Sequence, residues 1–394
     1  MDAPQHKRGN IVRSWQRVLP VVAAVAVVAV VAALAGWAIL GWGLSSGQGS
    51  QPNGSSGSAR SSQAPTAEHA GEQAQGTPGV LRSTNPHADE AMSPISAEGV
   101  LTATEKAGGQ LLQYHMDGDV KVFELTTKPV LWPILDGVVA TVYAYNGQVP
   151  GPLIRVTEGD KVRVVLRNEL PEPTTIHWHG IQVPNAMDGV PDMTQEAVQP
   201  GQTFTYEFTA KPAGTFWYHS HFRSDVQIGV GLHAPFIIDP AGPAQPTENK
   251  PDIDQVIMLE EWRIVDGETF ASMPATGMDA NFFTINGKAF PDTPEIKVKQ
   301  GQRVRLRFIG AGQLGHPMHI HGPAFKIVAT DGHPVPEAAQ LTKDTVWVGP
   351  GERYDIEWIA SEPGMWMLHC HIPHHTTNDH EEPGGLMLTL NVQP

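Results

Sequence analysis

The chain has 394 residues, 41 of them acidic and 26 basic, which gives a formal net charge of −15. This length accommodates two domains of ordinary size with extensions, and the negative charge argues against a nucleic-acid partner. The chain has a single cysteine, Cys370, so an internal disulfide is excluded.

The N-terminal region has the pattern of a membrane anchor. Four basic residues within the first 17 precede an uncharged apolar run at 21–44. A helix of that length is about 36 Å long, enough to cross a bilayer core of about 30 Å. The basic flank belongs on the cytoplasmic side. Residues 1–44 therefore predict a cytoplasmic stub and a single-pass anchor in the cell membrane, with the rest extracytoplasmic. The alternative is a signal segment cleaved near "ALA" at 33–35, which would give a secreted protein.

Residues 45–97 are rich in Ser, Gly, Gln, Ala and Pro and have almost no large apolar side chains, which predicts a flexible linker. From residue 98 the composition changes to short β-branched runs separated by Gly, Pro, Asn and Asp. These runs are typical of strands and turns and predict an all-β fold.

The region after residue 98 repeats itself. "NGQVPGPLIRVTEGDKVRVVL" leads to "HWHG" at 177–180, and "NGKAFPDTPEIKVKQGQRVRLRF" leads to "HIHG" at 319–322. A second pair, "PGQTFTYEFTAKPAGTFWYHSH" and "PGERYDIEWIASEPGMWMLHCH", begins at Pro200 and Pro350, an offset of 150 residues. The repeats predict tandem sandwich or barrel domains over 98–245 and 246–394.

The two copies differ at two positions that could bind a metal. Ser220 stands in the first copy where Cys370 stands in the second, and Thr174 stands where His316 stands. The second copy thus carries a Cys and an extra His together. This difference indicates one additional metal site in the second domain.

Histidines cluster in four places, two per repeat and at matched positions, which favours metal binding over isolated exposed pairs. The clusters are His177 and His179; His219 and His221; His316, His319 and His321; and His369, His371 and His375. In a strand, residues i and i+2 project to one face and residue i+1 to the other. His369 and His371 can therefore bind one metal centre while the Cys370 thiolate binds another.

The ligand types at the thiolate indicate copper. Two His and one Cys with a weak axial group describe an electron-transfer blue-copper centre, here His316, Cys370 and His375. Zinc is the alternative for such a cluster. It usually takes four closed ligands and does no redox chemistry, so it would not explain the His-Cys-His arrangement.

"TIHWHG", "WYHSHF", "HPMHIHG" and "HCHIPHH" resemble, in order, the four copper-binding segments of laccase-like multicopper oxidases, which are built from cupredoxin domains. The resemblance implies two tandem cupredoxin-like Greek-key β-sandwich domains and four coppers. It implies a type 1 copper at His316, Cys370 and His375 and a type 2 copper at His177 and His319. The implied type 3 pair is bound by His179, His219, His221, His321, His369 and His371.

One spacing differs from the three-domain members of this family. Only 94 residues separate His221 from His316, too few for an intervening domain. The chain resembles the two-domain type with its type 1 site in the second domain. That resemblance implies a homotrimer in which each trinuclear cluster lies between the first domain of one subunit and the second domain of its neighbour, a closed heterologous interface.

The axial position of the type 1 site and the proton supply are less sharply defined. The insertion "TTNDHEEPGGLM" leaves His380 at the usual axial spacing, but Leu386 matches the family's "GGL" form and Met387 is the next candidate. Adjacent strand residues face opposite ways, so at most one of them serves. The resemblance places a proton-delivering acid at Asp188; a turn aspartate is the alternative. His374 and His380 could line an entry for substrate or metal, or be surface residues.

The expected enzyme is an extracytoplasmic oxidase that takes single electrons from a small reducing substrate and reduces O2 to water. Phenols and aromatic amines are the default donors, and metal ions such as Mn(II), Fe(II) or Cu(I) are the alternative. A copper nitrite reductase would need its type 1 ligands in the first domain, where Ser220 replaces the Cys. A copper-binding or electron-carrier protein without turnover would have no use for eight cluster histidines.

Overall fold

The computed structural model describes residues 93–242, 250–272 and 279–394. The predicted anchor and nearly all of the predicted linker lie outside these residues, as does the predicted domain boundary at 245/246. Within the described ranges, no helix combines the length and the apolar character needed to cross a bilayer. The prediction of an all-β fold is confirmed, because strands dominate and the described helices have only three or four residues.

We call the described residues before 243 domain 1 and those from 250 onward domain 2. Domain 1 consists of two sheets. The five-stranded sheet contains β1 (His115–Asp117), β2 (Val120–Leu135), β3 (Val138–Tyr145), β5 (Lys161–Asn168) and β7 (Thr203–Thr209). The four-stranded sheet contains β4 (Ile154–Thr157), β6 (His177–His179), β8 (Gly214–His219) and β9 (His233–Asp239). Short helices cover Asn185–Met187 and Ser224–Gln227.

Domain 2 also consists of two sheets. The eight-stranded sheet contains β10 (Ile253–Val265), β11 (Glu268–Phe270), β12 (Phe282–Ile285), β14 (Arg303–Gly310), β16 (Phe325–Thr330), β17 (His333–Pro334), β18 (Thr342–Lys343) and β20 (Arg353–Ile359). The five-stranded sheet contains β13 (Ile296–Lys299), β15 (His316–Ile320), β19 (Thr345–Val348), β21 (Gly364–Cys370) and β22 (Met387–Gln393). Short helical turns cover Glu337–Ala339 and Pro373–Thr376.

The sequence repeat is also a repeat of topology. β5 pairs in parallel with β2 and antiparallel with β7, and β14 pairs in the same way with β10 and β20. In the second sheets, β4 pairs in parallel with β9 as β13 does with β22. Alternating burial along β5, where Val162, Val164 and Leu166 point inward, explains why the β-branched runs form strands with one buried face.

Each domain has its own apolar core, and a third buried cluster joins them. In that cluster, the β2–β3 hairpin packs Trp132 against Trp262 and Phe282 of domain 2. The Trp132 Nε1–H donates to the carbonyl oxygen of Gly287 at 2.8 Å, so this buried indole has a polar partner across the boundary. The contact fixes the two domains of one chain against each other.

A buried polar cluster reinforces the domain boundary. The Arg307 guanidinium donates to Asp254 Oδ1 at 2.6 Å and to Asp355 Oδ2 at 3.0 Å. It also donates to Thr215 Oγ1 of domain 1 at 2.7 Å, and the Thr215 hydroxyl donates in turn to Asp355 Oδ1 at 2.8 Å. Charges this deeply buried are tolerated because each has several hydrogen-bonding partners.

Candidate metal centres

The thiol site lies at the end of β21 in domain 2. His316 begins β15, Cys370 ends β21, and His375 lies in the helical turn Pro373–Thr376 that follows. His316 Nδ1 lies 3.0 Å from His375 Nδ1, and Cys370 Sγ lies 3.5 Å from the same atom. All three side chains are buried, and one donor atom from each lies within 4.8 Å of the others.

These donors fit a first-row metal ion. Metal–nitrogen bonds of about 2.0 Å and metal–sulfur bonds of about 2.3 Å place neighbouring ligand atoms about 3–4 Å apart. Burial raises the pKa of the Cys370 thiol to about 11. Burial, with a contribution from His316, lowers the pKa of His375 to about 3. The imidazole of His375 is therefore neutral and ready to bind, whereas the thiol needs an ion to displace its proton.

The two axial candidates face opposite ways. Leu386 is fully buried in the same apolar cluster as Cys370, and the Cys370 amide donates to its carbonyl oxygen at 3.0 Å. Met387 lies opposite His369 in the β21–β22 register and lines an outer depression with Met365 and Met367. Leu386 is thus the axial candidate that lies on the same side as Cys370. A Leu side chain has no donor atom.

Domain 1 has a counterpart of this site that contains no ring nitrogen or sulfur. Thr174, Ser220 and Gln227 are all fully buried there. Gln227 Oε1 accepts hydrogen bonds from Thr174 Oγ1 at 2.9 Å and from Ser220 Oγ at 2.6 Å. Gln227 Nε2 donates to Glu172 Oε1 at 2.7 Å. The position that holds three metal donors in domain 2 is thus occupied in domain 1 by side chains that hydrogen-bond to one another.

Four histidines form a cluster at the edge of domain 1. The His177 ring contacts those of His179, His219 and His221, with ring centroids 5.2–5.8 Å apart. Donor atoms of His177, His179 and His219 lie within 4.8 Å of one another. Burial, with a contribution from Arg353, lowers the pKa of His179 to about 4, so its imidazole is neutral.

Domain 2 has an equivalent cluster. The His319 ring contacts those of His321, His369 and His371, with ring centroids 5.1–5.7 Å apart. His321 and His371 are exposed, unlike the histidines of the domain 1 cluster, which are buried or half-buried.

Backbone carbonyls fix the tautomers of two histidines in each cluster in the same way. The Nδ1 atoms of His177 and His319 lie 2.8 and 2.9 Å from the carbonyl oxygens of Asp188 and Asp344. The Nδ1 atoms of His219 and His369 each lie 2.8 Å from the carbonyl oxygen of the next residue. A carbonyl can only accept, so the proton is on Nδ1 and the Nε2 lone pair is free for a metal.

The free nitrogens face their neighbours at metal-binding separations. His219 Nε2 lies 3.3 Å from His179 Nδ1, and His369 Nε2 lies 3.1 Å from His321 Nε2. Two nitrogens that share one ion at about 2.0 Å in tetrahedral geometry lie about 3.3 Å apart. Within the described parts of the chain, no ring contact joins a histidine of one cluster to a histidine of the other. The described chain thus has two separate four-histidine clusters.

Asp188 lies beside the histidine cluster of domain 1. It follows the helical turn Asn185–Met187, and its Oδ1 lies 3.5 Å from His177 Nδ1. Its side chain is about one-third exposed, which leaves it accessible to water.

A depression of about 540 Å³ opens beside the thiol site. His375 lines it together with His374, His380, Asp279, Asp379 and Arg263. The His374 and His380 rings are 5.4 Å apart. His380 has a backbone φ of +71°, a left-handed conformation that usually favours Gly or Asn.

Two family profiles, both described as multicopper oxidase, match residues 126–243 and 266–392. The structure is similar to that of a blue copper oxidase from Nitrosomonas europaea, with a TM-score of 0.63 and 39% identity. The alignment covers 69% of this chain and 85% of that one. The chain belongs to the multicopper oxidase family, so the predicted family, its cupredoxin-like fold and its copper cofactors of types 1, 2 and 3 are confirmed.

Curated relatives are longer than this chain. It is 31% identical over 268 residues to the multicopper oxidase MmcO of Mycobacterium tuberculosis, a match that covers 59% of this chain and 51% of the relative. It is 35% identical over 257 residues to laccase-1 of Cryptococcus neoformans var. grubii, covering 58% of this chain and 40% of the relative. The chain thus spans about half the length, or less, of these relatives.

Two residues at these sites were missed by the sequence analysis. Gln227 lies seven residues after Ser220, whereas His375 lies five after Cys370, so the repeat does not align them. Glu261 lies 3.6 Å from His316 but 55 residues before it in the chain. The available signal was "IMLEEWRIV", two adjacent acids inside an apolar strand, which indicates buried carboxylates in need of partners.

Proposed function

We propose that the chain is an oxidase that couples one-electron oxidation of small reducing substrates to the four-electron reduction of O2 to water. Phenols and aromatic amines are the proposed donors, and metal ions are the second class. Copper bound at the sites above would exchange single electrons and bind dioxygen. The function is proposed from family membership together with the distribution of donors described below.

The observation that carries the proposal is that the chain holds one thiol site and eight further cluster histidines, four in each domain. His316, Cys370 and His375 would hold the type 1 copper. His177 and His319 would hold the type 2 copper, and His179, His219, His221, His321, His369 and His371 the type 3 pair. Cys370, at the end of β21, is buried, while its neighbours His369 and His371 are half-buried and exposed, so three consecutive residues would serve the two kinds of site.

We propose a homotrimer as the working assembly. The support is that the two histidine clusters of one chain, each of which would be a half-site of the trinuclear centre, make no ring contact with each other, although each presents free imidazole nitrogens. A second copy would bring its domain 1 half-site onto the exposed His321 and His371 of domain 2. Such heterologous contacts close into a ring when three copies complete the rotation.

The remaining chemistry is assigned to two groups of this chain. Asp188, next to His177 and accessible to water, would hold and pass protons toward the half-site. The depression beside His375 would receive the electron donor, because it reaches the edge of a type 1 ligand. Its volume of about 540 Å³ is within the range of small-molecule sites.

Nitrite reduction is less well supported. That activity would require the type 1 ligands in domain 1, where Thr174, Ser220 and Gln227 satisfy one another by hydrogen bonds. An electron carrier without turnover is also less well supported, since eight further histidines with oriented nitrogens would then have no role.

For location, we propose that residues 21–44 anchor the chain in the cell membrane with both domains extracytoplasmic, or that the chain is secreted after cleavage of that segment. The support is the uncharged run and its basic flank. Fractionation of cells, followed by protease treatment of intact cells, separates the two forms and tests the orientation.

The activity is tested by measuring oxygen uptake by the copper-loaded full chain with a phenolic donor. We expect four donors to be oxidised per O2. Cys370→Ser should remove both the blue absorption and turnover, whereas His177→Ala should retain the blue absorption and lose oxygen uptake. The exposed His115 provides a control, because His115→Ala should change neither. No uptake from a blue, copper-replete trimer with phenolic and metal-ion donors would overturn the proposal in favour of an electron carrier.

A further inference from the structure

β10 carries two adjacent buried carboxylates that face different parts of the molecule. Glu260, 1% exposed, contacts His233 of domain 1 at 3.3 Å and accepts the amide hydrogen of Gly287 at 2.8 Å. Glu261, 3% exposed, faces the loop that leads into β15 and the thiol site. Because consecutive strand residues project to opposite faces, only Glu261 can reach His316.

The loop before His316 is built closely around the Glu261 carboxylate. Glu261 Oε1 accepts the amide hydrogens of Gln313 and of Leu314, the latter at 2.9 Å. Gly312 leaves the space for it, since a Cβ at that position would lie 1.8 Å from Glu261 Oε2. One carboxylate oxygen is therefore held firmly by the backbone.

The other carboxylate oxygen points at the metal ligand. Glu261 Oε2 lies 3.6 Å from His316 Nε2, and both side chains are almost completely buried. Within the described part of the chain, neither atom has a hydrogen-bond partner. Buried polar atoms are rarely left in this state, and a small rotation of either side chain would close the hydrogen bond between them. On its opposite edge, His316 presents Nδ1 to His375.

We propose that Glu261 is a positioning residue for the type 1 copper centre. Its carboxylate accepts the Nε2–H of His316 and so selects the tautomer in which Nδ1 is unprotonated and directed at the donor set. The negative charge also favours the doubly charged over the singly charged copper ion, which lowers the reduction potential of the site. The inference rests on copper at the Cys370 site and is independent of the proposed oxidase activity and its donor.

The test compares Glu261→Gln with the matched neighbour Glu260→Gln in the copper-loaded full chain. For Glu261→Gln we expect type 1 copper affinity to fall by about tenfold to a hundredfold, the usual effect of losing such a partner. The reduction potential should rise, by about 59 mV for each tenfold greater loss of Cu(II) than of Cu(I) affinity. Compared with Glu261→Gln, Glu261→Asp should restore part of the copper affinity and bring the reduction potential part of the way back. Glu260→Gln should leave the blue absorption and potential unchanged, because it contacts no type 1 ligand.

A second measurement decides the case even if Glu261→Gln fails to fold. Long-range ¹H–¹⁵N correlation spectra of the metal-free wild-type chain, with ¹⁵N-labelled histidine, report the tautomer of each ring. We expect the His316 proton on Nε2. A proton on Nδ1 instead, or unchanged copper affinity and potential in a folded Glu261→Gln variant, would overturn the proposal.

Discussion

His316 Nδ1 and His375 Nδ1 lie 3.0 Å apart, although the two residues are 59 positions apart in the chain, and Cys370 Sγ lies 3.5 Å from the latter. The donor set is thus formed by the folded chain itself. Burial raises the pKa of the Cys370 thiol to about 11 and, with a contribution from His316, lowers that of His375 to about 3. In the metal-free chain near neutral pH, the thiol is the member of this pair that must lose a proton to bind copper.

Copper uptake at the type 1 site should therefore depend on pH through Cys370. Below the thiol pKa of about 11, each unit of pH should raise the apparent copper affinity about tenfold, because binding displaces one proton. His375 is neutral from well below pH 6 and adds no step in the alkaline range. Calorimetric titration of the metal-free chain in buffers of different ionisation enthalpy measures the proton release. Affinity that stays constant between pH 7 and pH 9 would contradict the assignment of Cys370 as ligand.

A thiol alone should not convert the domain 1 counterpart into a second blue centre. Ser220→Cys would still have Thr174 and Gln227 beside it instead of imidazoles, and it would weaken the hydrogen bond to Gln227 Oε1. We expect no additional blue absorption per chain and a loss of about 1–3 kcal/mol of unfolding free energy. Absorption, copper content and thermal denaturation measure these effects. A second blue copper in this variant would show that the hydrogen-bonded network does not decide which domain holds the metal.

His380 should matter for the donor and not for the fold. Its left-handed φ of +71° is one that Gly adopts freely, so His380→Gly should leave the melting temperature unchanged or slightly higher. Removing the imidazole from the depression beside His375 should raise the KM of a phenolic donor several-fold, with the blue absorption unchanged. His380→Asn, which also tolerates this φ, should behave alike. An unchanged KM in both variants would remove His380 from the donor site.

The buried charges at the domain boundary should be much more important for stability than exposed pairs. Arg307→Ala leaves Asp355 without its cation and leaves Asp254 with Arg155 alone, and we expect a loss of about 3–5 kcal/mol of unfolding free energy. The exposed pair of Lys161 and Asp119 is the control, and Lys161→Ala should leave the denaturation midpoint unchanged. Chemical denaturation followed by tryptophan fluorescence compares the two variants. A small effect of Arg307→Ala would mean that the boundary is held by the apolar cluster around Trp132 alone.

The fold could be predicted from the sequence, because strand alternation and turn residues are local properties and the repeat shows them twice. The Ile-x-Val segments at Ile154 and Ile296 begin β4 and β13, and the histidine segments lie at matched places in both domains. The ligand types could be predicted for the same reason, since each cluster occupies a short stretch of chain in a strand or just beyond its end.

Contacts between residues that are distant in the chain could not be predicted from the sequence. Glu261 meets His316 only because β10 packs beside the loop before β15, and Thr215 meets Arg307 only across the domain boundary. By contrast, the resemblance to two-domain multicopper oxidases already implied that the histidines of the two domains lie apart within one copy. Among the described residues, no ring contact joins the two clusters.

The network of Thr174, Ser220 and Gln227 in domain 1 can be compared directly with the metal site of domain 2, because both occupy the same position in the repeat. The two domains surround equivalent positions with the same arrangement of strands. In domain 1 this position is filled by hydrogen-bonded side chains, and in domain 2 it is lined by the three metal donors. At this position, domain 1 is complete as soon as it folds. At this position, a shortage of copper would therefore leave domain 1 unchanged and would leave only domain 2 without its ion.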